Sequence, residues 1–141
     1  MTVYFDHEKL NVYQEAIAFV SWADELIRSV SRGAAAKDQL DRASTSVPLN
    51  IAEGNGKFSP RDRCRFLGNA YGSAVECAAC LDVLVAKGLV TSDEARVGKE
   101  TLRNIVAMLV GLTNKLLDRV GEGKAEYMVG WESISDLQSE S

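Results

Sequence analysis

Four separate stretches of this chain return apolar residues at steps of three and four, and none alternates with the period of two that marks a half-buried strand. That pattern commits the backbone to amphipathic helices and an all-α fold. In the first stretch Leu10, Tyr13, Ile17, Val20, Ala23, Ile27 and Val30 line one side, and Gly33 is placed to end the helix. The second runs from about Asp38 to Glu53, with Leu40, Ala43, Val47 and Ile51 on one face and Gly54 and Gly56 as the stop. Pro48 lies inside it, so the bond to the Ser44 carbonyl is lost and a bend is predicted there. The third helix opens on Ser59 as cap, Pro60 at the first helical position and Asp62 at capping-box spacing. Phe66, Leu67, Ala70, Tyr71, Ala74, Cys77, Ala78, Leu81, Leu84 and Val85 then keep the period up to Gly88. Thr91 and Glu94 form a second capping box, ahead of a stripe of Leu102, Ile105, Leu109, Leu112, Leu116 and Val120. Short connections between helices of this length predict an up-down-up-down antiparallel four-helix bundle over residues 1–120.

A chain of 141 residues with 46% hydrophobic positions can fill one such domain and not two. Its net charge of −4 excludes a uniformly basic surface. A local basic patch survives the arithmetic: residues 1–120 carry 15 acids and 15 bases, so the whole excess falls on residues 121–141. There Glu122, Glu126, Glu132, Asp136 and Glu140 face only Lys124, and Gly121, Gly123, Ser139 and Ser141 add to the composition of a flexible acidic tail. Tyr127, Met128, Val129, Trp131, Ile134 and Leu137 give that tail apolar groups able to dock on a neighbouring surface. No apolar run reaches the roughly eighteen residues that cross a membrane, and the polar start lacks the features of a signal peptide. The cytoplasm is the expected compartment.

One histidine, His7, removes most metal and acid–base chemistry. A di-iron centre in a bundle draws Glu-x-x-His pairs from facing helices and needs two. Cys77 and Cys80 fall deep inside the third helix, away from the helix N-terminus that lowers a thiol pKa, and read as small core or interface residues. Zinc would also require Cys64 and His7, near the opposite end of that helix. No nucleophile–base–acid set can be assembled without His7, and no glycine-rich loop has phosphate-cradle spacing, so no enzyme, metal or cofactor is expected. Glu53, at a helix C-terminus where the dipole opposes it, is expected to reach the amide-rich start of the third helix as a structural clamp. Lys57, Arg61, Arg63 and Arg65 gather around a single acid, Asp62, with Phe58 and Phe66 flanking them. This set suits contact with phosphate and an exposed base; the plainer reading is a solvated, partly salt-bridged helix start. Arg96, Lys99 and Arg103 form a second, weaker stripe at the other end of the bundle. A second face of the third helix is unusually small, with Gly68, Gly72, Ser73, Ala79 and Cys80, and allows close approach of another backbone, within the chain or in a subunit contact.

The run Gln39-Leu40-Asp41-Arg42-Ala43-Ser44-Thr45-Ser46-Val47-Pro48-Leu49-Asn50-Ile51-Ala52-Glu53-Gly54, followed by Lys57-Phe58-Ser59, Arg65-Phe66-Leu67, Tyr71-Gly72-Ser73 and Glu76, resembles the 23S rRNA-intervening-sequence protein family, also called four helix bundle proteins. The motifs cover the second and third helices; length and periodicity extend the likeness to the first and fourth. The resemblance implies an up-and-down bundle and, as in related members, a ring-shaped homopentamer, whose subunit contact would use Gly68, Tyr71, Gly72, Ser73 and Ala79. The family pattern falls on Pro48, Asn50, Glu53 and Gly54, implying that they shape the kinked helix and its turn, with Asn50 as a hydrogen-bond partner for the backbone. A related branch, the accessory variability determinants of diversity-generating retroelements, is similar in fold and acts by binding a reverse transcriptase and nucleic acid. Those proteins tend to be basic, and this chain departs from them with a neutral bundle and an acidic tail. The expected function is a non-enzymatic homo-oligomeric binding or scaffold module; the alternative is an RNA or DNA adaptor working through Lys57, Arg61, Arg63 and Arg65.

Overall fold

In a computed structural model of the chain, which describes residues 2–120, a short 3-10 turn at Asp6–Lys9 leads into four helices: α1 (Asn11–Ser29), α2 (Ala34–Asn55), α3 (Pro60–Ala86) and α4 (Ser92–Val120). The acidic stretch expected at 121–141 lies outside the described residues. Connections this short leave consecutive helices no option but to reverse. The pairings run accordingly: Gln39 with Glu76 and Ser46 with Ser73 between α2 and α3, Asp82 with Lys99 between α3 and α4, and Trp22 against Gly98 between α1 and α4. Between α2 and α3 the numbers rise on one helix as they fall on the other. Helix α2 meets α3 most extensively, followed by α3 with α4, α1 with α2, and α1 with α4, which closes the ring of an up-down-up-down bundle.

α1 and α2 begin without a side-chain cap, whereas α3 and α4 start where side chains satisfy their unpaired amides. Ser59 Oγ accepts from Asp62 N at 3.3 Å, with Pro60 at the first position of α3. Asp62 does not complete the box; its carboxylate pairs instead with Arg65 at 3.6 Å. At α4 the box is complete, since Glu94 N donates to Thr91 Oγ1 and Thr91 N donates to Glu94 Oε1, both at 3.1 Å. The role expected of Gly33 is corrected. α1 stops at Ser29, Val30 is extended, and Gly33 precedes α2 at φ 78°, a left-handed conformation that suits glycine.

Phe19, Leu40, Ile51, Leu81, Leu84, Ile105, Leu109 and Leu117 are fully enclosed, and each contributes about 1.5–3 kcal/mol by leaving water. On α1 the buried face is Val12, Ala16, Phe19, Ala23, Leu26 and Val30, turned by nearly one residue from the predicted stripe and leaving Ile17 exposed. Phe19 is the reason: its ring is the largest side chain in the core, and its tilted contact with Trp22 carries the helix around. Trp22 in turn lies over Gly98 of α4, where any Cβ would collide with the indole.

Helix α2 passes through Pro48 without interruption. Polar side chains gather there: Ser44 Oγ donates to the Asp41 carbonyl at 3.0 Å, Thr45 Oγ1 donates to the same carbonyl at 2.9 Å, and Asn50 Nδ2 donates to both the carbonyl and the hydroxyl of Ser46 at 2.9 Å. The Ser46 hydroxyl also meets Ser73 Oγ of α3 at 2.8 Å. Asn50 therefore supplies a donor to the backbone carbonyl two residues before the proline. Gly54 is buried against α3, where a Cβ would stand 2.9 Å from Phe66 Cβ and 3.3 Å from the Arg63 carbonyl.

All three cysteines are buried thiols outside any disulfide, Cys64 on the first turns of α3 and Cys77 and Cys80 near its centre. Burial, with the neighbouring Cys80 and the charge of Glu76 adding to it, pushes the Cys77 thiol up to about 12; burial and Glu76 also raise Cys80.

Two predictions follow the packing. Gly54→Ala should destabilise the protein by about 1–3 kcal/mol in urea unfolding through overpacking against backbone. Gly111→Ala, whose Cβ would meet nothing within 4 Å, should instead gain up to about 1 kcal/mol from helix propensity. Equal effects from the two would contradict this account of Gly54. Iodoacetamide at neutral pH should label the folded protein at least tenfold more slowly than the urea-unfolded chain at all three thiols, read by mass spectrometry. Rapid native labelling of Cys77 would show it to be accessible and ionised.

Candidate functional site

Glu53, Gly54 and the basic run from Lys57 to Arg65 lie at the end of the bundle where α2 stops, α3 starts and α4 finishes. Gly56 N donates to the Ala52 and Glu53 carbonyls at 3.2 Å, and Lys57 N donates to the Gly54 carbonyl at 3.1 Å, so backbone alone closes the turn into α3. Glu53 takes no part: its carboxylate is exposed and makes no hydrogen bond or ion pair with α3, so the expected clamp is absent among the described residues. Ser59 occupies the position where that clamp would act.

The four cations of the basic run separate. Lys57 Nζ and the Arg65 guanidinium both lie over the Phe66 ring, at 4.9 and 5.2 Å from its centre. Phe66 is thereby engaged by its own chain, whereas Phe58, at 101% relative exposure, stands fully in solvent. Arg61 and Arg65 border a recess of about 400 Å³ shared with Asp62, Asn69 and Thr113 of α4. Thr113 in its wall is only 1% exposed, and its hydroxyl has no hydrogen-bond partner among the described residues. Arg63 turns the other way. Its Nε donates to the Lys57 carbonyl at 2.6 Å, and it joins Lys115 and Arg119 of α4 around a cavity of about 200 Å³ walled by Leu10, Ile51, Leu67, Leu112 and Leu116. Thr113, Lys115 and Arg119 were missed in the sequence. Only the antiparallel pairing of α4 with α3 brings them to this end, although the spacing of four between Lys115 and Arg119 was a signal that they share a face.

Nearby groups complete the electrostatics. Asn55 Nδ2 donates to Asp6 at 3.1 Å, and this bond holds the Asp6 carboxyl below its usual range against opposing desolvation, with smaller help from Lys9, Arg63 and His7. His7 packs edge-on to Tyr13 at 4.7 Å and stacks with Phe5. Among the described residues no group of three or more His, Cys, Asp or Glu is placed to hold a metal ion. The second basic stripe is discharged locally, Lys99 on Asp82 and Arg96 on Asp93. No helix among the described residues is long and apolar enough to cross a membrane.

The outer face of α3 is the other notable surface. Gly68, Gly72, Val75, Ala79, Val83 and Ala86 follow one another at steps of four and three, with Val75 and Val83 at 47% and 44% exposure. Of the residues named for a subunit contact, Gly72 and Ala79 are on this stripe and Gly68 is at its half-buried start. Ser73 and Tyr71 point elsewhere, Ser73 to Ser46 and Tyr71 against the core.

The family model of 23S rRNA-intervening sequence proteins matches residues 8–111. A crystal structure of a protein with unknown function from the S23 ribosomal protein family of Bacteroides thetaiotaomicron shares the fold, with a TM-score of 0.67 and 20% identity over 72% of this chain and 97% of that one. Neither description names an enzymatic activity. Among curated proteins nothing matches. The matched segment takes in α1, α2, α3 and most of α4, and by that match the chain belongs to the 23S rRNA-intervening sequence protein family.

Proposed function

We propose that this protein is a non-enzymatic homo-oligomer, a pentameric ring, whose bundles act as a binding or scaffold module. The apolar stripe on the outside of α3 carries the reading. A row of small and β-branched side chains in water is of no use to the chain's own core, which α3 already fills with Leu67, Ala70, Ala74, Cys77, Leu81 and Leu84 on its other side. Its small residues, Gly72 above all, permit the backbone of a second copy to come close. A closed ring uses two different faces of each subunit and repeats every weak patch around the assembly, so that modest contacts sum to useful affinity. In light scattering coupled to size exclusion, the protein should run at about five times its chain mass of 15.3 kDa. Val75→Glu with Val83→Glu should reduce it to monomer while circular dichroism keeps its helical signal. A wild-type monomer at micromolar concentration would overturn the proposal.

A second reading, an RNA or DNA adaptor, draws on a specific observation: the unpartnered Thr113 hydroxyl in the wall of the recess bordered by Arg61 and Arg65. A phosphate there would meet two guanidinium groups and a buried donor, with Phe58 exposed nearby for a base. Binding of a labelled single-stranded RNA should then weaken with salt, with a log–log slope of about −0.7 for each phosphate neutralised. Arg61→Glu with Arg65→Glu should abolish it. Absence of binding at low salt would end this reading.

A further inference from the structure

The cavity at the end of the bundle has a composition that neither the α3 stripe nor the Thr113 recess shares. Its walls are apolar, from Leu10 before α1, Ile51 and Gly54 of α2, Leu67 of α3 and Leu112 and Leu116 of α4, so every helix of the bundle or its approach contributes to it. Every ionisable side chain on its lining is a cation: Arg63, Lys115 and Arg119. Asn55 is the remaining polar group, and its amide is already bound to Asp6.

The cations are not there to satisfy one another. Lys115 and Arg119, four apart on α4, repel each other along the helix, and neither makes a hydrogen bond or ion pair with any described residue. Arg63 spends its Nε on the Lys57 carbonyl, which fixes the plane of the guanidinium and leaves its terminal nitrogens as donors. Arg63 exerts a minor pull on the Asp6 carboxylate, and Asp6 is held by Asn55 and is not part of the cavity lining. The last turns of α4 tolerate Lys115 and Arg119 because a helix C-terminus favours positive charge. That accounts for their cost but not for their meeting Arg63 around an apolar hole. Three positive groups on the rim of a low-dielectric cavity create a field that favours one negative charge at the mouth of an apolar body.

We infer that this cavity is a binding site for a small amphipathic anion: a carboxylate whose apolar portion fills the leucine–isoleucine walls and whose charge lies among Arg63, Lys115 and Arg119. Size sets the class. An apolar cavity of about 150 Å³ holds a benzene ring. A space of about 200 Å³ therefore takes a medium-length acyl chain or a ring with a short side arm, and excludes a drug-sized ligand or a nucleotide. Arg63 gives the carboxylate a planar two-donor partner; Lys115 and Arg119 supply longer-range charge from α4.

Calorimetric titration of the full chain with octanoate tests the site, with 1-octanol as the uncharged match and acetate as the anion without a body. Octanoate should bind at least tenfold more tightly than octanol, acetate should give no signal, and the octanoate affinity should fall as salt rises. Lys115→Gln and Arg119→Gln replace exposed side chains and should leave the thermal midpoint unchanged. Each should weaken octanoate about three- to tenfold with no effect on octanol, and the double variant should bring octanoate down to the level of octanol. Equal binding of octanol and octanoate, no binding of octanoate at millimolar concentration, or variants that bind octanoate as well as the wild type would each overturn the proposal.

Discussion

The approach of α2 to α3 at Gly54 sets the geometry on which the rest of this end of the molecule depends. Because Gly54 has no side chain, the backbone of α3 at Arg63 and the base of the Phe66 side chain can lie directly against it. The turn between the helices is then short enough to be closed by backbone bonds from Gly56 and Lys57. Arg63 reaches back to the Lys57 carbonyl, and Lys57 and Arg65 are left to share the Phe66 ring. Push the helices apart by the width of a methyl group and all three arrangements change together. A single glycine thus positions both the outward cations and the inward one.

Pro48 and its neighbours perform a related task further along the same interface. A proline in a helix interior removes a donor and strains the preceding turn, a defect of about 3 kcal/mol or more when nothing compensates. Here Ser44, Thr45 and Asn50 direct side-chain donors at the carbonyls of Asp41 and Ser46, and Ser46 continues the chain of bonds to Ser73 on α3. The proline is therefore surrounded by a polar seam that also joins the two helices. Ser44 is nearly fully buried, and its hydroxyl is satisfied locally by the Asp41 carbonyl.

Much of the fold was legible because its signals are local. Period, capping residues and loop lengths are all read within a few positions of one another, and they located the four helices and the start of α3 at Ser59 and Pro60. The errors arose where a distant partner decides. Nothing within α1 says that Phe19 and Trp22, rather than Ile17, turn toward the other helices; Gly98, far along the chain, makes room for Trp22. Gly33 was read as the end of α1 because a glycine after a helix usually is, but Leu89 from the α3–α4 connection fills the space beside it and its positive φ serves the entry to α2. Glu53 was assigned a clamp because charge and dipole suggested one, while a serine cap already filled the place. The candidate site was legible only by half: the arginine run could be seen in the sequence, but its division between two sides of α3, and its meeting with Thr113, Lys115 and Arg119, require the antiparallel return of α4.

That division changes which charges matter. The excess of acids lies on residues 121–141, so the bundle itself is electrically balanced and any potential it presents comes from placement. Arg65 has Asp62 at 3.6 Å and the Phe66 ring beneath it, and at a high-dielectric surface two charges about 4 Å apart exchange only about 1 kcal/mol. Arg63 is half-buried and joins the exposed Lys115 and Arg119 around walls of leucine and isoleucine, an apolar surrounding that strengthens the field of a charge set against it. Residue types alone point to the exposed run as the most basic feature of the protein. Once placement is taken into account the run divides: Lys57 and Arg65 stay on the Phe66 ring, while Arg63 joins Lys115 and Arg119 around the apolar cavity.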